Sequence, residues 1–251
     1  MLNLFKMEIY HALKSKVVAV MLLLTGLISF LNMFVISQVI DENQTVNICR
    51  QFTSLSANQM MLIFWAVMIS VYIAGEYKNG FVKSIAGQIS SRGYLAVSKV
   101  LFALAYTVAA FVVSFIFTVI GAFVFIKGGI VLGFTAGIIP VLLVQLLVHL
   151  GFTCIFILIA TLTRSSAFGI GLGIFMGCGM SGMLYSGISW AVNKTGIMKN
   201  FNFAQYMIDT NVKNVQIGVP KEFMIRGVIV GLAFVAVFTY ASVKALNKRD
   251  I

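Results

Sequence analysis

The sequence predicts an all-α polytopic membrane protein with six transmembrane helices, an N-terminal helix on the membrane surface and a short helix between spans two and three. Three observations carry that prediction. Of the 251 residues 60% are hydrophobic and 10% charged, with a mean hydropathy of +1.01, where a soluble domain has about 45–50% apolar and about 25% charged residues. The apolar residues come in long blocks free of Asp, Glu, Lys and Arg. The alternating ten-residue segments of a membrane barrel are absent, so the backbone in lipid satisfies itself within helices.

Residues 1–16 place Leu2, Phe5, Ile9, Ala12 and Leu13 at helical spacing among Lys6, Glu8, Lys14 and Lys16, the pattern of an interfacial helix. The first span, near 17–40, is 24 residues long and has no A-x-A-like exit, so it reads as a retained helix and not a cleaved signal. Further spans lie near 55–75, 100–126, 140–163, 166–192 and 225–245, each long enough for the roughly 20 apolar residues a crossing needs. Pro140 sits near the outer entrance of the fourth, and the sixth needs Arg226 and Lys244 to reach outward from its 17-residue apolar block. Residues 76–99 and 193–224 are then loops on opposite faces. Eleven of the 18 basic residues lie on the side of the two termini and seven on the other. The positive-inside bias therefore puts both termini and 76–99 in the cytoplasm and 193–224 outside, although Lys194 to Arg226 holds five of the opposing seven. The net charge of +11 fits basic loops against anionic lipid and not nucleic acid.

Several chemistries find no residues. No G-x-x-x-x-G-K-[ST] loop exists to cradle ATP, and no Asp or Glu falls within the apolar blocks, which disfavours a proton- or sodium-coupled carrier. His149 and Cys154 are five apart, poor spacing for two ligands on one helix face, so His149 reads as a packed or hydrogen-bonded residue and no metal site is expected. H-E-x-x-H, G-x-S-x-G and paired-carboxylate motifs are missing, so the chain is not expected to be an enzyme. Cys49, Cys154 and Cys178 form no disulfide framework.

The loop from Glu76 to Lys99 carries the most information. Gly80 can end the second span as a left-handed cap, after which Val82, Ile85 and Ile89 fall at i, i+3 and i+7 and make one apolar stripe on a short helix. The stripe either awaits a partner or is incidental to a solvated basic loop. Glu76, Gly80, the Ser91-Arg92 pair and Lys99 match, in order and approximate spacing, the segment that follows span two in the membrane subunits of type-2 ATP-binding-cassette (ABC) exporters, which this chain resembles. It departs from them at Phe81, where threonine is common, and at Ile89-Ser90, where a proline usually precedes the serine-arginine pair. Weaker echoes are Leu162-Thr163-Arg164-Ser165 and Lys248-Arg249-Asp250.

The resemblance implies a permease subunit that binds no cofactor itself and works with a separate ABC ATPase carrying ATP and Mg. It makes 76–99 a coupling loop that holds a short coupling helix; within it Glu76 is expected to pair with Arg92 or Lys99 at the exposed membrane edge. It also implies a second permease subunit, identical or different, a bacterial cell membrane, and short re-entrant helices in the outer loop. Size and composition look most like permeases that export amphipathic peptides such as phenol-soluble modulins, or confer bacteriocin immunity.

In span five Gly169, Gly173, Gly177 and Ser181 recur every four residues, which lets helix backbones approach closely, either within one subunit or across a pair. The resemblance adds that spans two and five line the transport route. Met60, Met61 and Met68 with Met176, Met180 and Met183 would then give it soft walls, and otherwise they fill lipid-facing surface. Walls without acids or bases suit peptide or other hydrophobic cargo. A non-transporting scaffold or sensor and a secondary carrier remain the alternatives from other classes.

Overall fold

The computed structural model describes all residues except 1, 42–43, 87–90, 197, 199 and 249–251, and the side chains of 2, 83 and 86 are also left aside. The helices are α1 (Leu2–Lys14), α2 (Lys16–Ser37), α3 (Ile48–Ser56), α4 (Leu62–Lys78), α5 (Phe81–Ala86), α6 (Gly93–Phe125), α7 (Ile138–Thr163), α8 (Ser166–Gly177), α9 (Ser181–Lys194), α10 (Ile208–Asn214) and α11 (Lys221–Lys248). Short 3-10 turns precede α4 and α10. Among the described residues, α2, α4 with its leading turn, α6, α7 and α11 are long and apolar enough to cross a membrane, and α8 with α9 makes a sixth crossing if that bent pair counts as one. The all-α polytopic class expected from composition is what the chain adopts.

α4 and α7 are the most enclosed spans, and α2 and α11 the most exposed. α7 packs against α4, α6 and α11, while α2 lies along α6 and α8 along α4. Burial is carried by Leu62, Trp65, Ile69 and Ile73 of α4 against Phe152 and Phe156 of α7, all almost fully enclosed. In lipid such contacts gain from close packing and hydrogen bonding more than from water exclusion. Some polar atoms of this core are paired, while Gln145 Oε1 and His149 Nε2 find no hydrogen-bond partner among the described residues: Trp65 Nε1 donates to Thr107 Oγ1 at 3.2 Å, and Gln145 Nε2 donates to the carbonyls of Thr53 and Val215 at 2.8 and 2.7 Å. His149 Nδ1 lies 2.7 Å from the Gln145 carbonyl, and its ring packs on Trp65 and Phe111 at 5.0 and 5.2 Å. Cys154 lies beside Thr239 at 3.8 Å.

The elements depart from the sequence expectation in three places. The second apolar block splits, because Asn47 caps α3 by accepting from Arg50 N and Asn58 caps the next turn by accepting from Met60 N. The fifth block breaks at Gly177–Met180, where Gly179 has φ +76° and the two helices diverge by 69°. A parallel ladder of two residues, Val46–Asn47 with Ile130–Val131, joins the loops after α2 and α6. It is too short to leave an alternation in the sequence. Pro140 falls in the first turn of α7, where its missing N–H costs nothing.

Candidate functional site

The candidate site lies where α1, the end of α11, α5 and the α7–α8 turn meet. Gly80 at φ +73° ends α4, a backbone conformation glycine adopts without strain, and α5 starts at the next residue. Val82 and Ile85 of α5 are buried against Leu95 and Ala96 of α6 and Leu246 of α11, with Leu4 and Met7 of α1 at the margin. This corrects the expectation of an apolar stripe awaiting a partner. One stripe on one helix says only that something covers it, and here α1, α6 and α11 do. Ile89 lies outside the described residues, as do Arg249 and Asp250. Ser84 points outward and is exposed. At the start of α6, Gly93 N donates to Asn247 Oδ1 at 2.8 Å. A Cβ on Gly93 would come within 2.7 Å of Val243, so the glycine permits the α6–α11 crossing.

Beneath α5 a charge cluster links three helices. Lys99 of α6, only 2% exposed, pairs with Glu76 of α4 and, at 3.2 Å, with Glu8 of α1. Tyr72 OH donates to Glu8 Oε2 at 3.1 Å and Ser98 Oγ to Glu8 Oε1 at 3.5 Å. His11 Nδ1 stands 3.3 Å from Glu76 Oε1 and 3.2 Å from Tyr72 OH, while its ring stacks on Phe81, the first residue of α5, at 4.5 Å and 9°. The sequence reading paired Glu76 with Arg92 or Lys99 at an exposed edge. The partner is Lys99, and the pair is buried, so removing one member costs about 3–5 kcal/mol where an exposed pair would contribute about 0–1 kcal/mol.

The sequence reading placed Glu8 only among the charges of the interfacial helix and gave it no site role, although as the lone acid among the first 40 residues it left a signal. The inward face of α1 carries Glu8 and Ala12, and Leu13 of the expected stripe is 81% exposed. Next to the cluster, Arg164, the left-handed cap of α7 at φ 53°, lies over the Tyr77 ring at 5.4 Å. A cleft of about 580 Å³ between these turns is lined by Tyr77, Lys78, Arg164, Ser165 and Ser166.

The glycine repeat lies on α8 and faces α4 of the same chain. A Cβ on Gly169 would strike Ser70, one on Gly173 Ala66 and one on Gly177 Ile63, so the three mark a single close contact. Ser181 is not part of it. Its Oγ donates at 2.5 Å to Asp209 of α10, a buried carboxylate that also accepts from Tyr185 OH at 3.1 Å and that the sequence reading did not single out. The same face of α9 continues with Ser189, which accepts from Phe203 N at 2.8 Å, and Asn193, which binds both backbone groups of Phe201.

The methionines divide. Met61, Met68 and Met176 are core residues, which removes Met68 and Met176 from any surface that could line a route in this conformation. Met60, Met180 and Met183 are exposed near the break between α8 and α9. Among the described residues no cluster of His, Cys, Asp or Glu could hold a metal ion.

Residues 4–180 match the family described as ABC-2 family transporter protein, and the match ends at the break before α9. No individually curated protein matches the chain.

Proposed function

The chain belongs to the ABC-2 family of transporter proteins and is a multi-pass membrane protein; from that premise we propose that it is the permease subunit of an exporter driven by a separate ABC ATPase docking at α5. The observation that carries this reading is how α5 is held. It is clasped on one side by α1, α6 and α11 through Val82 and Ile85, stacked on His11 through Phe81, and joined to α4 through Gly80. A push on its outward face therefore cannot be absorbed locally. It passes to α4 and through the glycine contact to α8, the two helices assigned to the route.

In this reading Glu76, Gly80, Val82, Ile85 and Lys99 position the coupling helix and do not touch the ATPase. The docking face is the one that bears Ser84, with the cleft at Lys78 and Arg164 beside it. Both termini are cytoplasmic by the distribution of basic residues. The cargo is an amphipathic peptide or another hydrophobic molecule, consistent with the exposed Met60, Met180 and Met183 near the far end of α4 and α8. A second permease subunit completes the route.

The test is co-purification with candidate ATPases followed by cargo-stimulated ATP hydrolysis in vesicles. Ile85→Asp is unsuitable, because it would unseat α5 from its own chain. Ser84→Trp alters only the exposed face. It should leave insertion and thermal stability unchanged and abolish ATPase association. Normal association with normal stimulation would remove α5 as the docking element, and no ATPase partner at all would favour a scaffold.

A further inference from the structure

Away from the charge cluster and the glycine contact, a cavity of about 330 Å³ lies between α3, α6, α7 and the segment before α7. It is lined by Phe52 of α3, Val112 and Phe115 of α6, Phe134 of the segment before α7, and Leu142 and Leu146 of α7. None of its lining residues is on α4 or α8. We propose that this cavity is a site for a single hydrocarbon chain, one acyl chain of a bilayer phospholipid entering sideways between α6 and α7.

The chemistry of the wall excludes water. Apart from the Cys49 thiol, its one polar side chain is Thr53, whose hydroxyl is already spent on the carbonyls of Cys49 and Arg50 at 3.0 and 3.1 Å. An ordered water needs two to four polar partners, and none is offered here. An empty space of this size would deprive the surrounding side chains of contacts on one side. An apolar occupant restores them.

The position of the opening selects which apolar occupant. Val108 and Val112 at its rim are 43% and 53% exposed and belong to a stripe on α6 that runs at four-residue steps through Leu104, Ile116 and Ile120. On α7 the neighbouring Ile139 and Leu143 are 53% and 61% exposed. The cavity thus opens onto the membrane-facing surface of two spans, where phospholipid tails are the abundant apolar molecule. A chain seated there fills the space under α3, whose polar face carries Arg50, Gln51 and Ser54. The proposal rests on the membrane placement of α6 and α7 and not on transport.

The test uses the full chain reconstituted in phosphatidylcholine vesicles containing a phosphatidylcholine with a diazirine in one acyl chain. After photolysis, adducts are mapped by peptide mass spectrometry. Adducts at Val112 and Leu146 should exceed, several-fold, those at Ile229 and Val237 of α11, which are 63% and 60% exposed and do not line this cavity. Val112→Trp should block the opening and bring Leu146 adducts down to the α11 level with α11 labelling unchanged. If that variant fails to insert, Val108→Phe makes the same test at the other rim position. Equal labelling of cavity and α11 would reduce the site to ordinary boundary lipid. Absent cavity labelling beside a labelled Ile116 would mean that protein, such as a second copy, covers it, and unchanged Leu146 labelling in the blocked variants would place the chain elsewhere. Any of the three overturns the proposal.

Discussion

The two ends of the bundle each bury carboxylate oxygen, and they satisfy it differently. At the end with the termini, Glu8 and Glu76 share Lys99, and Tyr72, Ser98 and His11 supply further contacts. At the other end Asp209 has no cation within reach among the described residues and rests on the hydroxyls of Ser181 and Tyr185. An ion pair is strong but intolerant: remove one member and the rest is left charged and buried. Hydroxyl contacts are individually weaker and accept a neutral replacement. The difference sets a charge-paired junction of α1, α4 and α6 beneath α5 against a seat of α10 on α9 made by hydroxyls.

The sharpest way to break that contrast is Lys99→Met. It should cost about 3–5 kcal/mol by leaving two facing carboxylates unpaired, seen as loss of a monodisperse peak or a large fall in thermal midpoint. Adding Glu8→Gln and Glu76→Gln to Lys99→Met should recover most of that loss. A fully stable single variant would show that the cluster is not a charge junction. Next in size is Gly173→Leu, which forces α4 and α8 apart where a Cβ already strikes Ala66. Overpacking of this kind costs about 1–3 kcal/mol, whereas Leu172→Ala, on a half-buried position, should cost less, and equal midpoints would dissolve the contact. Asp209→Asn should cost only about 1 kcal/mol, because an amide oxygen still accepts from Ser181. A loss as large as that of Lys99→Met would erase the distinction between the ends. The smallest perturbation places the ends across the bilayer: cysteines at the exposed Ser84 and Asn202 should react from opposite faces, Ser84 from the cytoplasm.

What was legible in the sequence is what depends on neighbours along the chain. Charge-free blocks gave the spans, Gly80 its cap, and the four-residue glycine spacing a close helix contact. Partners far apart in sequence were not legible. Glu8 meets Lys99 across 91 positions and Ser181 meets Asp209 across 28. Periodicity marks a face without naming what covers it, which is why Val82 and Ile85 read equally well as a docking stripe and as incidental to a solvated loop, and neither reading placed them against α6 and α11. The bend before α9 was hidden for a similar reason. Gly177, Gly179 and Gly182 satisfy a packing pattern and a break alike, and only the positive φ of Gly179 separates the two.

The break has a consequence for hydrophobic matching. With α8 along the bilayer normal, its 12 residues rise about 18 Å, and the 14 of α9, tilted by 69°, add about 8 Å. The other spans, from the 20 residues of Gln59–Lys78 to the 33 of α6, rise about 30 to 50 Å. In that orientation the rise of this flank, about 26 Å, falls short of the roughly 30 Å hydrocarbon layer, a mismatch that carries a modest cost for each ångström. The same 26 residues in one straight helix would rise about 39 Å, so the bend at Gly179 is what shortens this flank.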